Sequence, residues 1–386
     1  MAGGARRLKI GISGSYGGLN LGDEAILEGM LTQLRATVPA DVTVFSRVPS
    51  DTLATHEVER AVAPRALTRR EITPEIRDLD LFILGGGGIL YDGDAQTYLR
   101  EVLVAQEFGV PVLLYAVSAG PLSTSSARSA IRAALNAAGT LAITVRDRLG
   151  LRLLEDVGVT REITLTADPA FLLEPEEFPE EALRAEGVDL TRPLVGFSVR
   201  EPGPAAPDID PEEYYALLAN AADFIIERYD AEVVFVPMER TDVQHSHAVV
   251  AHMQNSERAE ILRRRYSPRQ ILDLMGRFEF AVGMRLHFLI FATLQGIPFA
   301  ALPYASKVAG LLEDLGLDVP PLSSTGVGQL IARIDRSWDT RGEARARIAA
   351  RRSALRERAA RTNEIALALL RGKAPAEPAE PPPALQ

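Results

Sequence analysis

Residues 112–117 read Val-Leu-Leu-Tyr-Ala-Val, with no charge and no alternation of apolar and polar positions. A strand with one wet face alternates with period two. One covered on both faces need not, and strands of that kind belong to parallel sheets flanked by helices. This run therefore limits the chain to folds in which helices bury a sheet from both sides. Further strands are expected at 8–13, 42–45, 57–62, 79–84, 141–145 and 163–166. Helical spacing separates most of them, at 23–38, 95–108, 125–138 and 147–157; the first carries Ile26, Leu27, Met30, Leu31 and Leu34 on one face. Alternating strands and helices predict a doubly wound α/β domain.

Glutamate and proline crowd residues 174–192 and interrupt this pattern, as a linker does. A second series follows, with strands at 194–199, 233–236, 278–282 and 299–302. Its helices are expected at 211–228 and from about 268, 285 and 306. Ser267-Pro268-Arg269-Gln270 has the form of a capping box with proline at the first helical position. The expected organisation is an α/β protein of two Rossmann-like domains facing a cleft. Residues 1–175 form the first domain, 176–192 the linker and 193–338 the second domain. A long helix at 339–372 (341–370 by its apolar spacing) and a disordered Pro/Ala-rich tail at 373–386 complete the chain. Ligands of such sheets bind at the carboxyl ends of the strands, so chemistry is sought there.

The chain of 386 residues carries 42 basic and 52 acidic side chains, net −10. That balance argues against nucleic acid or an anionic membrane as the main partner, so any anion must be held by a local basic pocket. With no cysteine, disulfides and thiolate metal sites are excluded. The first residues lack the apolar core of a signal peptide and no run reaches a membrane span, so a soluble cytoplasmic protein is expected.

Gly283-Met284-Arg285-Leu286-His287 lies where the strand at 278–282 turns into a helix. Unpaired N–H groups at that helix start, a guanidinium and an imidazole suit an anion and a proton transfer near neutral pH. A surface arginine and a satisfied core histidine are the plainer alternative. Arg200 ends the strand at 194–199, and Lys307 sits near a helix start, where its charge is locally unfavourable. With Arg285 and His287 they make a candidate pocket for a multiply charged small anion.

In the first half, the glycine-rich segment 14–25 follows the first strand with neither dinucleotide-binding nor P-loop spacing. Asn20, Asp23 and Glu24 offer polar groups at the helix entrance, or Asn20 or Asp23 caps the helix. Gly85 to Gly88 form a run of four glycines, more than a turn needs, which favours close approach of a ligand or an opposing loop. Asp92 beyond it is a hydroxyl-orienting group or a cap. His245, His247 and His252 fall on one expected helix without sharing a face, so no metal site is assigned; His56 is expected at the surface.

Several elements then form an ordered set. They are Asn20-Leu21-Gly22-Asp23-Glu24-Ala25-Ile26, the polyglycine run, Ser118-Ala119-Gly120-Pro121, Val145-Arg146-Asp147 and Ala167-Asp168-Pro169-Ala170. Arg285-Leu286-His287, Gly296-Ile297-Pro298 and Tyr304-Ala305-Ser306-Lys307 complete it. The set resembles the polysaccharide pyruvyl transferases, over roughly residues 9–316. The resemblance implies a GT-B-like fold and transfer of the enolpyruvyl group of phosphoenolpyruvate to a sugar, usually as a cyclic pyruvate ketal, with release of phosphate. It implies that Arg285 and His287 hold the donor and assist the chemistry, with Arg200 as a further donor-binding arginine. The donor is then a substrate, and neither cofactor nor metal is required.

The residues fit that chemistry with His287 as general acid and base, Arg200, Arg285 and Lys307 on phosphoenolpyruvate, and Asn20, Asp23 and Asp92 facing the acceptor. The acceptor would be a saccharide of a cell-surface polysaccharide or its precursor, free or lipid-linked. The chain would then work in the cytoplasm or against the inner face of the membrane. Two other readings stay open: a nucleotide-sugar-dependent GT-B glycosyltransferase, and a non-catalytic glycan-binding protein of the same fold.

Overall fold

The computed structural model describes residues 6–201, 210–302, 306–318 and 326–372. Pro303, Tyr304 and Ala305 of the last motif, and the tail expected to be disordered, lie outside the described residues. The chain divides into two compact units. Unit 1 comprises Met1–Gly18, Ile26–Pro169 and Glu357–Gln386, and unit 2 comprises Leu19–Ala25 and Ala170–Arg356.

Unit 1 is built on seven parallel strands: β1 (Leu8–Ser13), β2 (Ala40–Phe45), β3 (Arg60–Val62), β4 (Leu81–Leu90), β5 (Val112–Ala119), β6 (Thr140–Val145) and β7 (Ile163–Leu165). They lie in the order β3-β2-β1-β4-β5-β6-β7. The connecting helices are α1 (Leu21–Arg35), α2 (Pro49–Thr55), α3 (Arg69–Ile76), α4 (Ala95–Glu107), α5 (Ser125–Asn136) and α6 (Arg148–Val157). Neighbouring residues of one strand enter different cores. Leu81, Ile83, Leu113 and Tyr115 pack into one hydrophobic cluster, and Phe82, Leu84, Val112 and Leu114 into the other. Both faces are covered, which is why the run at 112–117 has no polar alternation.

Three sequence expectations change here. The strand expected at 79–84 does not stop at the glycines. β4 continues through them to Leu90, with Gly85 opposite Tyr115, Gly87 opposite Val117 and Gly88 opposite Ser118. Gly86 and Gly87 adopt φ of +37° and +89°, and a Cβ on Gly86 would overlap the Ile26 side chain. Close packing inside unit 1 thus uses Gly85 and Gly86, where a Cβ would run into Met30 and Ile26, whereas Gly88 is exposed with open space beside it. The strand expected at 57–62 is confined to Arg60–Val62, since the Glu59 carboxylate turns back to accept from the Val42 N–H at 2.8 Å. His56 is buried rather than on the surface, with Nδ1 3.0 Å from the Glu28 carboxylate.

In unit 2, α7 (Glu180–Glu186) lies inside the segment rich in glutamate and proline; Phe178 and Leu183 there are buried. Its sheet holds β8 (Leu194–Ser198), β9 (Glu232–Phe235), β10 (Ala259–Ile261), β11 (Phe278–Gly283) and β12 (Phe299–Ala301). All are parallel, in the order β10-β9-β8-β11-β12. The helices are α8 (Pro211–Tyr229), α9 (Asp242–His252), α10 (Pro268–Met275), α11 (Leu286–Gln295), α12 (Ser306–Leu315), α13 (Val327–Asp339) and α14 (Arg341–Leu370). The capping box at Ser267 forms as read, with its hydroxyl accepting from the Gln270 N–H and the Gln270 side chain from the Ser267 N–H. The last turns of α14 belong to unit 1, where Ile365 and Ala366 join the core that holds α1. Among the described residues no helix is long and apolar enough to cross a membrane.

Both sheets place their first strand between their second and fourth, so strand order reverses at β1/β4 in unit 1 and at β8/β11 in unit 2. The carboxyl ends flanking such a reversal form the crevice where open α/β sheets take ligands.

Candidate active site

In unit 2 the reversal point is bounded by Ser198 at the end of β8 and Gly283 at the end of β11, paired in register. Beyond Ser198 the chain reaches Arg200, and beyond Gly283 it reaches Arg285, the residue that caps α11 in extended conformation. The two turns are tied together. The Arg200 N–H points to Met284 Sδ at 3.2 Å, and the single proton of the Tyr214 hydroxyl is shared between the Arg200 carbonyl at 2.9 Å and Met284 Sδ at 2.7 Å. Burial pushes the Tyr214 hydroxyl far above its usual titration range, so it stays a donor at any working pH. Lys307 opens α12, directly after β12, which neighbours β11.

His287 stands in the first turn of α11, half-buried. Its imidazole is covered by the backbone at Gly22: a Cβ there would overlap His287 Nδ1. The segment Leu19–Ala25 belongs to unit 2, through contacts with residues far along the sequence. The Leu21 N–H donates to the Met238 carbonyl at 2.8 Å, and Asn20 forms an isolated antiparallel bridge with Glu239. Asn20 Oδ1 accepts from the Gly22 and Asp23 N–H groups at 2.9 and 3.3 Å, capping α1. Its Nδ2 approaches Glu239 Oε2 at 3.5 Å. Asn20 thus caps with one end of its amide and reaches the site with the other, and Asp23 follows it on the first turn.

Arg285 is not an open cation. Its Nε donates to Asp242 Oδ2 at 3.0 Å, one terminal nitrogen donates to Glu239 Oε2 at 2.9 Å, and that nitrogen also pairs with Asp242 Oδ1. Asp242 opens α9 and accepts in addition from the Met238 and Glu239 N–H groups, each at 3.1 Å. Burial pushes the Asp242 carboxyl up, while Arg285 and the backbone donors pull the other way; the net direction is upward. Arg200 is likewise engaged, donating to Glu201 at 2.8 Å. Burial would raise the Glu201 carboxyl, but the Arg200 hydrogen bond and charge, with His245 and Arg285, hold it below the usual range. His245 lies between Tyr215, whose hydroxyl is 2.7 Å from Nδ1, and Glu201, 3.5 Å from Nε2.

Asp92 belongs to unit 1. Its carboxylate accepts from the N–H and hydroxyl of Ser123 at 2.8 and 2.5 Å, and from those of Thr124 at 2.9 and 2.8 Å. These four bonds hold its pKa well below the usual range and tie it to the start of α5. Within unit 2, Asn20 and Arg285 thus meet on Glu239 and His287 lies against Gly22, while Arg200 follows β8 and Lys307 opens α12. Glu239 and Asp242 went unread in the sequence, and His245 was read there only as one of three histidines with no metal site. Asp242 had a signal, an acid in the first turn of a helix that follows a strand, on the same sheet edge as Arg285.

The model of the polysaccharide pyruvyl transferase family matches residues 20–306, which include every residue of this cluster except Lys307. The amylovoran biosynthesis protein AmsJ of Erwinia amylovora is 22% identical over 400 residues, covering 89% of this chain and 95% of that protein. Among solved structures, the S. aureus MnaA–UDP co-structure superposes with a TM-score of 0.65 at 13% identity, covering 95% of this chain and 98% of that one. A UDP-N-acetylglucosamine 2-epimerase from Neisseria meningitidis, bound to UDP-GlcNAc, superposes with a TM-score of 0.64 at 10% identity, covering 95% and 100%. At these identities the structural likeness speaks for the fold alone, a GT-B-like pair of parallel α/β sheets. The family match spans well over half of the chain, and the chain belongs to the polysaccharide pyruvyl transferase family, a family of transferases.

Proposed function

We propose that this protein transfers the enolpyruvyl group of phosphoenolpyruvate to a sugar of a cell-surface polysaccharide or its precursor, closing a pyruvate ketal and releasing phosphate. The observation that carries the reading is the meeting of Arg285 and His287 at the start of α11, at the strand-order reversal of the second sheet. The name of AmsJ, which ties that relative to the synthesis of a polysaccharide, supports the acceptor class. Phosphoenolpyruvate is a metabolite of the cytoplasm, and the reaction belongs there.

In this scheme the N–H groups and positive dipole end of α11 draw one anionic group of the donor. Arg285, Arg200 and Lys307 neutralise the carboxylate and phosphate. His287 in its protonated form delivers a proton to the methylene carbon. Positive character then develops at C2, a sugar hydroxyl forms the new C–O bond, and its proton returns to the imidazole. The bond from C2 to the phosphate oxygen breaks, a second hydroxyl attacks C2 and closes the ketal, and its proton leaves with the phosphate. Asn20 and Asp23, on the 19–25 segment whose Gly22 covers His287, present an amide and a carboxylate for the acceptor hydroxyls.

Titration calorimetry with phosphoenolpyruvate and a panel of nucleotide sugars, on wild type and on Arg285→Ala, tests this. Phosphoenolpyruvate is expected to bind wild type and to lose at least about tenfold in affinity without the guanidinium. Binding of a nucleotide sugar instead would overturn pyruvyl transfer in favour of glycosyl transfer.

A further inference from the structure

The two carboxylates on Arg285 are held in very different ways. Asp242 is 0% exposed, and besides Arg285 it accepts from two backbone N–H groups, so it cannot leave without stranding a buried charge. The Glu239 side chain is 36% exposed, and its Oε2 takes hydrogen bonds from Arg285 at 2.9 Å and from Asn20 at 3.5 Å. With all three groups ionised, the guanidinium and two carboxylates sum to −1. Arg285 thus brings no net positive charge of its own to the anion while both acids stay in place. Asp242 alone supplies the paired contacts, to Nε and a terminal nitrogen, that fix the plane of a guanidinium. Glu239 adds nothing to that aim, and its own bonds to Arg285 and Asn20 are made by a side chain that can swing into solvent.

We propose that Glu239 is a resident carboxylate that occupies the Arg285 N–H group meant for the donor, and that the donor displaces it. Asp242 is the fixed partner that keeps Arg285 aimed while the exchange takes place. Both act through Arg285 and are positioning residues. The inference rests on the reading in which Arg285 binds phosphoenolpyruvate. One carboxylate replaces another on the same donor, so no covalent step is involved. The exchange has two consequences. Singly charged acids compete poorly with a carboxylate already in place, whereas a ligand with a carboxylate and a phosphate gains from Arg200 and Lys307 as well; the latch selects multiply charged anions. Donor binding also takes Glu239 away from Asn20, loosening the side-chain link between Arg285 and the segment over His287.

The test is calorimetric titration of phosphoenolpyruvate into wild type, Glu239→Gln, Glu239→Ala, Asp242→Asn and Arg285→Ala, followed by steady-state release of phosphate. Removing the Glu239 charge is expected to tighten donor binding about tenfold in both Glu239 variants and to lower KM by more than it changes kcat. A gain in affinity is a readout that a misfolded or merely loosened protein does not give. Asp242→Asn is expected to weaken binding. Equal or weaker binding by the Glu239 variants, with wild-type binding abolished in Arg285→Ala, overturns the latch and leaves the donor reading standing. Donor binding that survives Arg285→Ala, or no binding by wild type and Glu239→Gln alike, overturns the donor reading and the latch with it.

Discussion

A missing Cβ decides where the imidazole of His287 can lie. The backbone at Gly22 closes over Nδ1, and any side chain there would push the ring aside. Gly22→Ala should therefore displace His287 by roughly 1 Å, which is enough to cost about 10²-fold in kcat. The denaturation midpoint should barely move, because a half-buried side chain can rotate to relieve the overlap. An unchanged kcat for phosphate release would remove His287 from the chemistry. Asp242 is a different kind of residue, since its loss leaves the mostly buried Arg285 guanidinium without its fixed partner. Asp242→Asn is expected to cost about 3 kcal/mol in urea denaturation. A loss below about 0.5 kcal/mol, the level of an ordinary surface change, would show that Glu239 alone can hold the arginine.

At the scale of elements, β4 shows how a run of glycines can be sheet rather than loop. Glycine has no side chain to set an alternation, so neither hydropathy nor spacing marks Gly85 to Gly88 as strand; pairing with β5 does. Gly86→Ala puts a side chain at positive φ and against Ile26, and is expected to cost about 3 kcal/mol in denaturant unfolding. A cost near zero would mean that α1 can shift away from the strand. The uncharged run at 112–117 and the strand-to-helix turn at Gly283 were legible because each rests on local side-chain chemistry. The three-residue β10 was not, set as it is between Arg258 and the arginines at 263–265. Nor was the place of residues 19–25, whose pairing with Met238 and Glu239 depends on contacts over two hundred residues apart in sequence. The acids on Arg285 were hidden for the same reason: which strand ends meet is decided by the sheet order, and the order is a tertiary fact. His56 looked like a surface residue because its partner, Glu28, lies on another element.

For the molecule as a whole, the unfolding equilibrium carries a pH signature from unit 1. Glu101 on α4 is buried, and burial raises its carboxyl to about 7 against the opposing pull of Arg100 and Ser13. The folded chain thus holds this proton more tightly than the unfolded one. The associated stability is fully present below about pH 4.5 and is lost as pH rises through about 7, a change of about 3 kcal/mol. Glu101→Gln should flatten that part of the profile, so that it exceeds wild type in urea stability at pH 8 and not at pH 4. A profile parallel to wild type would show that the carboxylate finds solvent. The division of the chain has a consequence for inheritance as well. A recombination event that exchanged residues 170–356 between two relatives would transfer the sheet and its cations while leaving residues 19–25 behind, so the imidazole would be roofed by a loop from the other parent. Chimaeras that keep residues 19–25 and 170–356 from the same ancestor should be active far more often than those divided at one breakpoint.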